Sequence, residues 1–254
     1  MKILLYPHKK IEKTRLGWGL SFIDGIEMGT RITFDVAFHW NYNDIKTPVD
    51  EIDFLINGPQ TVYNISLRSV AKKWVDEHMT EALGYSSLVE ALPGRDTVCV
   101  VKRNEQSRGQ AHISKVIWDN NHLDKRHPDY RISQKFIETE RDGACEEHRV
   151  FIFCNNSFTV KKRKRFKDRF KSNASEYKLI ETADIFSQEE IKGISRFTNS
   201  IGLDFGEIDV LRDNDNGKIY ITDVNDIAGG KGKLAGMEDV KDRYVYELKR
   251  MLGC

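Results

Sequence analysis

The residues best suited to chemistry lie between positions 205 and 225. Two strand-like runs, LDFGEIDVL and KIYITDVN, flank a turn that ends in Asp215, Asn216 and Gly217. A three-residue hairpin loop needs a type I turn followed by a left-handed residue, and Gly217 suits that position. Such a loop sets Asn214 opposite Lys218, and counting back along both strands sets Asp209 opposite Asp223. Opposed residues present their side chains on one face, a few ångströms apart. Asn225 joins them by the two-residue period of a strand. Two carboxylates this close repel each other unless a cation joins them. With the amide carbonyl they form an all-oxygen donor set, which suits Mg2+ or Mn2+, ions that commonly hold nucleotide phosphates. The alternative is a solvated hairpin face whose register is displaced by one residue.

Three basic features accompany the hairpin. Lys102 ends the apolar run VCVV and opens a polar segment. There it can meet a phosphate as a point charge, or simply snorkel from a strand end. Arg149 stands between Glu147-His148 and an apolar strand, where the plain reading is a sheet-edge ion pair. The run KKRKRFKDRFK at 161–171 holds eight basic residues and one acid. Alone it reads as a nucleic-acid patch or as a solvated charged face. On a strand, its alternate residues would point to opposite sides. No GxSxG motif and no Ser/His/Asp or Cys/His set suggests a side-chain nucleophile.

The elements that must position these residues are partly legible. KILLY, ITFDVAFHW and EIDFLING look like strands, the last ending at the turn signal Asn57-Gly58-Pro59. A helix is expected from an N-cap at Ser66 to Leu83, with Gly84 ending it. SSLVEAL, DTVCVVK, AHISKVIW and RISQKFIET read as strands, with a loop at 103–110. EEHRVFIF and NSFTVKK form a hairpin around Asn155 and Asn156. A second helix starts at a capping box, Ser187 with Glu190, and stops at Gly202. A last helix spans 238–252. Strands and helices mix without strict alternation, so the class is α+β.

The chain has 254 residues, enough for one large domain or two small ones. Forty Lys and Arg offset thirty-nine Asp and Glu, leaving a net charge of +1. A binder of nucleic acid or membranes driven by whole-molecule charge is therefore disfavoured. Thirteen Phe, nine Tyr and four Trp argue against disorder. No apolar run approaches the ~18 residues of a membrane span. The four cysteines show no zinc spacing, and a reduced, cytoplasmic protein is expected.

The order of these features resembles the ATP-grasp superfamily over about residues 60–240, in the branch of the glutamate ligases and glutathione synthetases. The resemblance runs through the lysine-bearing helix ending at Gly84-Tyr85, VCVVK, SQKFIET, EEHRVFIF, NSFTVKKRKR, FKSN, GLDFGEIDV and GKIYITDVND. It implies an ATP-grasp fold in which two α+β subdomains clasp ATP. Residues 61–135 would form the first, with the phosphate lid, and 136–254 the second, with the metal hairpin. Residues 1–60 would be a reduced substrate-side region.

The resemblance also implies roles. Lys102 would contact the nucleotide phosphates, with 103–110 as the lid and Lys73 (or Lys72, or Arg68) as an earlier basic contact. Gln134, Lys135, Phe136 and Ile137 would read adenine, and Glu138 or Glu140 the ribose. Arg149 and Arg163, with Lys162, would hold the γ-phosphate and the reaction intermediate, and Asn173 would lie near the metals or acceptor. Asp209, Asp223 and Asn225 would bind Mg2+ or Mn2+. Three departures stand out: Asp223 replaces the usual Glu, the lid has only Gly109, and the N-terminal region is short.

The implied activity is a Mg2+-dependent ATP ligase joining a small carboxylate to an amine acceptor, anionic or carried by a peptide or polymer, through an acyl phosphate. A kinase of the same fold and a nucleic-acid module centred on 161–171 are the alternatives. No membrane partner is expected.

Overall fold

The β-branched and aromatic runs near the N-terminus pair in parallel. In a computed structural model, which describes residues 1–6, 11, 14–29, 33–40, 55, 57, 61–88, 98–103, 114–117, 131–169, 174–227 and 236–254, four strands make one sheet. They are β1 (Lys2–Tyr6), β2 (Glu27–Met28), β3 (Val36–His39) and β4 (Thr61–Tyr63), in the order β2-β1-β3-β4. All its pairings are parallel. The sheet thus takes its fourth strand from just beyond residue 60. Helix α1 (Arg15–Leu20) is capped by the Thr14 hydroxyl, which accepts from the Gly17 amide at 3.0 Å. Leu55 is helical rather than part of the strand expected of EIDFLING; 51–54, 56 and 58 lie outside the described residues.

Helix α2 is shorter than the sequence implies. It spans Lys72–Leu83, with Ala71 as its N-cap, and stops at Gly84 in the left-handed conformation. Ser66 does not cap it. Residues 67–70 approach the helix without helical structure, yet Leu67 and Val70 are fully buried. The apolar spacing that suggested a longer helix is satisfied by this lead-in segment. Ser66 instead lies against Gly202, where an added Cβ would come within 2.6 Å of the Ser66 carbonyl carbon and φ is +74°. Gly202→Ala should therefore cost about 2 kcal/mol or more of stability, read from urea unfolding.

A small antiparallel sheet follows: β5 (Val98–Arg103), β6 (Ser114–Ile117) and β7 (Arg131–Lys135), in the order β6-β5-β7. Residues 136–139 connect it to a six-stranded sheet. That sheet comprises β8 (Glu140–Arg141), β9 (Ala144–Phe153), β10 (Asn156–Arg165), β11 (Glu176–Ile180), β12 (Phe205–Arg212) and β13 (Ile219–Asn225). Its main path is β11-β10-β9-β12-β13, all antiparallel, with β8 paired to β9. The β9–β10 turn falls on Cys154 and Asn155, one residue earlier than expected, with Cys154 at φ +54°.

Further α-helices among the described residues are α3 (Thr182–Ile185), α4 (Gln188–Ile201) and α5 (Glu238–Leu252). The capping box at α4 forms as expected, Ser187 and Glu190 each bonding the other's backbone amide. Gly202 and Gly253 end α4 and α5 in the left-handed conformation.

Strand periodicity divides the central sheet into two faces. On one, Val150, Ile152, Ile208, Val210 and Val224 bury against α2 and α4. On the other, Phe151, Phe153, Phe158 and Phe205 join Ile3, Leu5, Phe38, Tyr244 and Leu248 in a shared core. Farther along that second face the residues turn from aromatic to charged. The candidate site lies there.

Candidate active site

The pairing of β12 with β13 sets Asp209 opposite Asp223 and Glu207 opposite Asn225. The sequence count reached this pairing, and Gly217 is left-handed at φ +71°. The route differs. Arg212 pairs with Ile219 and Val210 with Ile221, one residue off the count from the turn. The register then shifts between Val210 and Asp209, leaving Thr222 as an extra residue in β13. Its hydroxyl donates to the Asp209 carbonyl at 3.2 Å. This bulge lets Ile219 and Ile221 bury on the helix face while Asp223 and Asn225 keep the opposite one.

Asp209 is the centre of an ion-pair network. Arg149, its neighbour across β9, holds both carboxylate oxygens, through Nε at 2.8 Å and Nη2 at 2.9 Å. Arg149 Nη1 also lies 3.1 Å from Glu207. Glu207 in turn binds Arg15, which reaches in from the start of α1. Lys162 Nζ stands 3.3 Å from Asp209 and 2.5 Å from Glu147, and Lys164 meets the other Glu147 oxygen at 2.6 Å. From α2, Lys72 Nζ reaches Asp223 at 3.2 Å. Five cations thus face four carboxylates on one patch of sheet.

Most of these groups are buried. Burial alone would raise the Asp209 pKa, but the Arg149 and Lys162 charges overcome it and hold the carboxyl far below its usual range. Burial would lower that of Arg149, yet Asp209 and Glu207 push it well above the ordinary value. For Glu147 the pull of Lys162 outweighs burial, and its pKa is lowered. Asp223 is the most exposed carboxylate, its side chain 34% accessible.

The donors suit a hard divalent cation: two carboxylates, one of them ionised throughout the ordinary pH range, and an amide. Asn225 makes no side-chain hydrogen bond to a described residue. Among the described residues no three His, Cys, Asp or Glu side chains form a metal-binding group. The third oxygen would therefore have to come from the amide.

The other expected residues divide. Lys162 joins the cluster, and Lys72 rather than Lys73 is the α2 lysine that reaches it. Arg163 does not, because it alternates to the opposite face, opposite Glu146, with its Nε 3.5 Å from that carboxylate. Lys102 pairs with Ile132 in the small sheet. Asn173 and 104–110 lie outside the described residues.

The connecting segment is pinned to the β12–β13 turn. Lys135 Nζ lies 2.5 Å from Asp213 and 5.4 Å from the Tyr220 ring centre. The Asn214 amide donates to the Glu138 carbonyl at 2.8 Å. Buried Gln134 donates to Ser87 Oγ at 3.0 Å. Phe136 stacks under Arg169, whose guanidinium lies 4.4 Å from the ring centre. Arg169 also pairs with Glu138. Ile137 is buried in the helix-side core and Glu140 is exposed.

Glu147, Lys164, Glu207 and Arg15 were not singled out from sequence. Glu207 lies two residues before Asp209, and Lys164 two after Lys162, so strand period could have found both. Arg15 is brought in by tertiary packing and has no such signal. Within the basic run, Lys161, Lys162, Arg163, Lys164, Arg165 and Arg169 each have an acidic partner. Six of its eight basic residues are thus spent on ion pairs within the chain, which counts against the nucleic-acid alternative.

On the helix face of β9, His148 is 6% exposed, and burial pushes its pKa down to about 4. A histidine neutral when folded and basic when unfolded gives stability that is full above pH 6.5 and lost as pH falls towards 4. The loss should be about 3 kcal/mol. Burial lowers His39 as well, so the readout is the difference between wild type and His148→Phe, whose urea stability should fall less over that window.

The sequence matches no protein-family model and no curated protein. Solved structures do resemble it. A RiPP-associated ATP-grasp ligase from Chryseobacterium gregarium, in complex with ADP and a leader and core peptide, superposes with a TM-score of 0.63 at 11% identity, over 99% of this chain and 96% of that one. D-alanine–D-alanine ligase from Bacillus anthracis gives 0.61 at 13% identity, over 99% and 95%. The D-cycloserine synthetase DcsG gives 0.55 at 12% identity, over 98% and 99%. Among the described residues no helix is long and apolar enough to cross a membrane. The likeness spans nearly the full length of each partner, and the α+β chain has the ATP-grasp fold.

Proposed function

We propose that this chain is an ATP-dependent ligase that joins a carboxylate to an amine through an acyl phosphate. The observation that supports this best is the gathering of Asp209, Asp223 and Asn225 with Lys72, Arg149, Lys162 and Lys164 on one sheet face. A carboxylate oxygen attacks the γ-phosphorus of ATP, the bond to the β,γ-bridging oxygen breaks, and ADP leaves. The amine then attacks the acyl carbon, loses a proton, and expels phosphate. No side-chain nucleophile is needed.

The protein's part is positioning and charge neutralisation. Arg149 and Lys162, held in place by Asp209, Glu207 and Glu147, face the transferred phosphoryl group. Lys72 and Lys102 neutralise the remaining phosphates. Mg2+ or Mn2+, held by Asp209, Asp223 and Asn225, would supply Lewis-acid stabilisation of the phosphoryl oxygens. The segment from Gln134 through Ile137 receives adenine and Glu138 or Glu140 the ribose, with Asn173 near the acceptor. Arg163 has no part, since its strand position turns it away. Residues 61–254 carry the nucleotide site in this reading, and 1–60 serve the substrate side.

Ligases of this fold include one bound to a leader and core peptide and one named for D-alanine. Free and peptide-borne carboxylates are therefore both substrates to test. Purified protein with ATP, Mg2+ and a panel of amino acids and short peptides should release phosphate only when carboxylate and amine are both present. Hydroxylamine should trap the activated carboxylate as a hydroxamate. A stable phosphorylated product from a single substrate would mark a kinase instead and overturn the ligase reading.

A further inference from the structure

The helix side of the central sheet holds a cavity of about 270 Å3, on the opposite face from the Asp209 network. His148 lines it. This side chain is 6% exposed, and its Nδ1 has no hydrogen-bond partner. A buried polar atom left unpaired costs free energy unless a ligand or water meets it.

The charges around the cavity cancel in pairs, with two exceptions. Lys161 is paired with Glu146 at 2.9 Å, and Arg212 with Glu190 at 2.7 Å. Arg141 has only a neutral side-chain partner, Asn214 Oδ1, at 3.2 Å from Nε. Asp184, at the end of α3, has no cationic partner among the described residues. One cation and one anion are thus left over on the wall of a single cavity. Ile180 and Ile185 add an apolar surface to the same wall.

A cavity of this size has room for about nine water volumes, and so for a ligand of about that many heavy atoms. One unspent cation, one unspent anion, a neutral imidazole and an aliphatic wall are the complement of a small zwitterion. A nucleotide or inorganic phosphate would set its charge against Asp184 and Glu146. We propose that this cavity binds a free α-amino acid with an uncharged side chain. Its carboxylate faces Arg141, its ammonium faces Asp184, and its side chain lies against His148, Ile180 and Ile185.

Calorimetric titration of the full chain, without ATP, with each protein amino acid in turn tests this. At least one uncharged amino acid should bind with one-to-one stoichiometry. Its N-acetyl and carboxamide derivatives, each lacking one of the two charges, should bind at least about tenfold more weakly. Asp184→Asn and Arg141→Gln alter exposed side chains and should each weaken binding to a similar degree, while Asp223→Asn should leave it unchanged. The His148 ring nitrogen resonances should shift on saturation. Absence of binding to about 10 mM, or binding lost in Asp223→Asn but intact in Asp184→Asn and Arg141→Gln, would overturn the proposal. Because neither readout needs turnover, its failure is separable from failure of the ligase reading.

Discussion

Asp209→Asn should reduce ATP-dependent turnover by about 10^3-fold or more. The substitution keeps the volume of the side chain and removes its charge. Arg149 then keeps only Glu207, and Lys162 only Glu147, so the cations proposed to meet the phosphoryl group lose their common anchor. The same change breaks a buried pair, at a cost of about 3 kcal/mol in stability. Turnover and folding could therefore be confounded in this variant. Asp223→Asn separates them. Its carboxylate is one-third exposed and bonds only Lys72, whose side chain is 7% exposed; the Asn oxygen can still accept from that lysine, so stability should fall by about 1–2 kcal/mol, less than in Asp209→Asn. Its turnover should still fall at least about a hundredfold. Full turnover in a folded Asp223→Asn protein would remove the phosphate-and-metal reading of the hairpin.

Phe205→Ala should cost about 3–5 kcal/mol of unfolding free energy. The ring is 3% exposed and lies where three layers meet. Its centre is 5.0 Å from Phe38 in the N-terminal sheet, 5.5 Å from Phe153 in the central sheet and 6.4 Å from Tyr244 on α5. Asn64 adds a polar clip at the same place, accepting from the Asp204 and Phe205 amides and donating to the Phe205 carbonyl. A core divided between the N-terminal sheet and the central sheet should unfold in one transition. Urea curves of the variant followed by fluorescence and circular dichroism should coincide and shift together. A loss below about 1 kcal/mol, or two separated transitions, would show that the aromatic cluster does not couple the layers.

How much of this was legible depends on whether the signal was local. The capping box at Ser187, the glycines at 84 and 202 and the last helix at 238–252 are short-range patterns, and the structure carries each where expected. The start of α2 was misread because Leu67 and Val70 satisfy a helical spacing while burying in a non-helical lead-in. Arg163 is assigned to the γ-phosphate by resemblance, although strand alternation turns it to the face opposite that of Lys162. Arg15 carries no local mark at all; only packing of α1 against the central sheet brings it to Glu207. The opposition of Asp209 and Asp223 was reached by a count that skips one irregularity, and Gly217 marked the turn correctly.

That irregularity has a consequence for how this strand tolerates loss of sequence. Thr222 is a spare residue: the two halves of β13 on either side of it already alternate in step with β12. A chain lacking Thr222 can close into a regular ladder with Ile221 still opposite Val210 and Asp223 still opposite Asp209. A chain lacking Val224 cannot, because Asp223 and Asn225 become neighbours and fall on opposite faces. Turnover should survive the first deletion within about tenfold and vanish with the second. One position in β13 is thus forgiving of a lost codon while its near neighbour is not, and the difference is set by register alone.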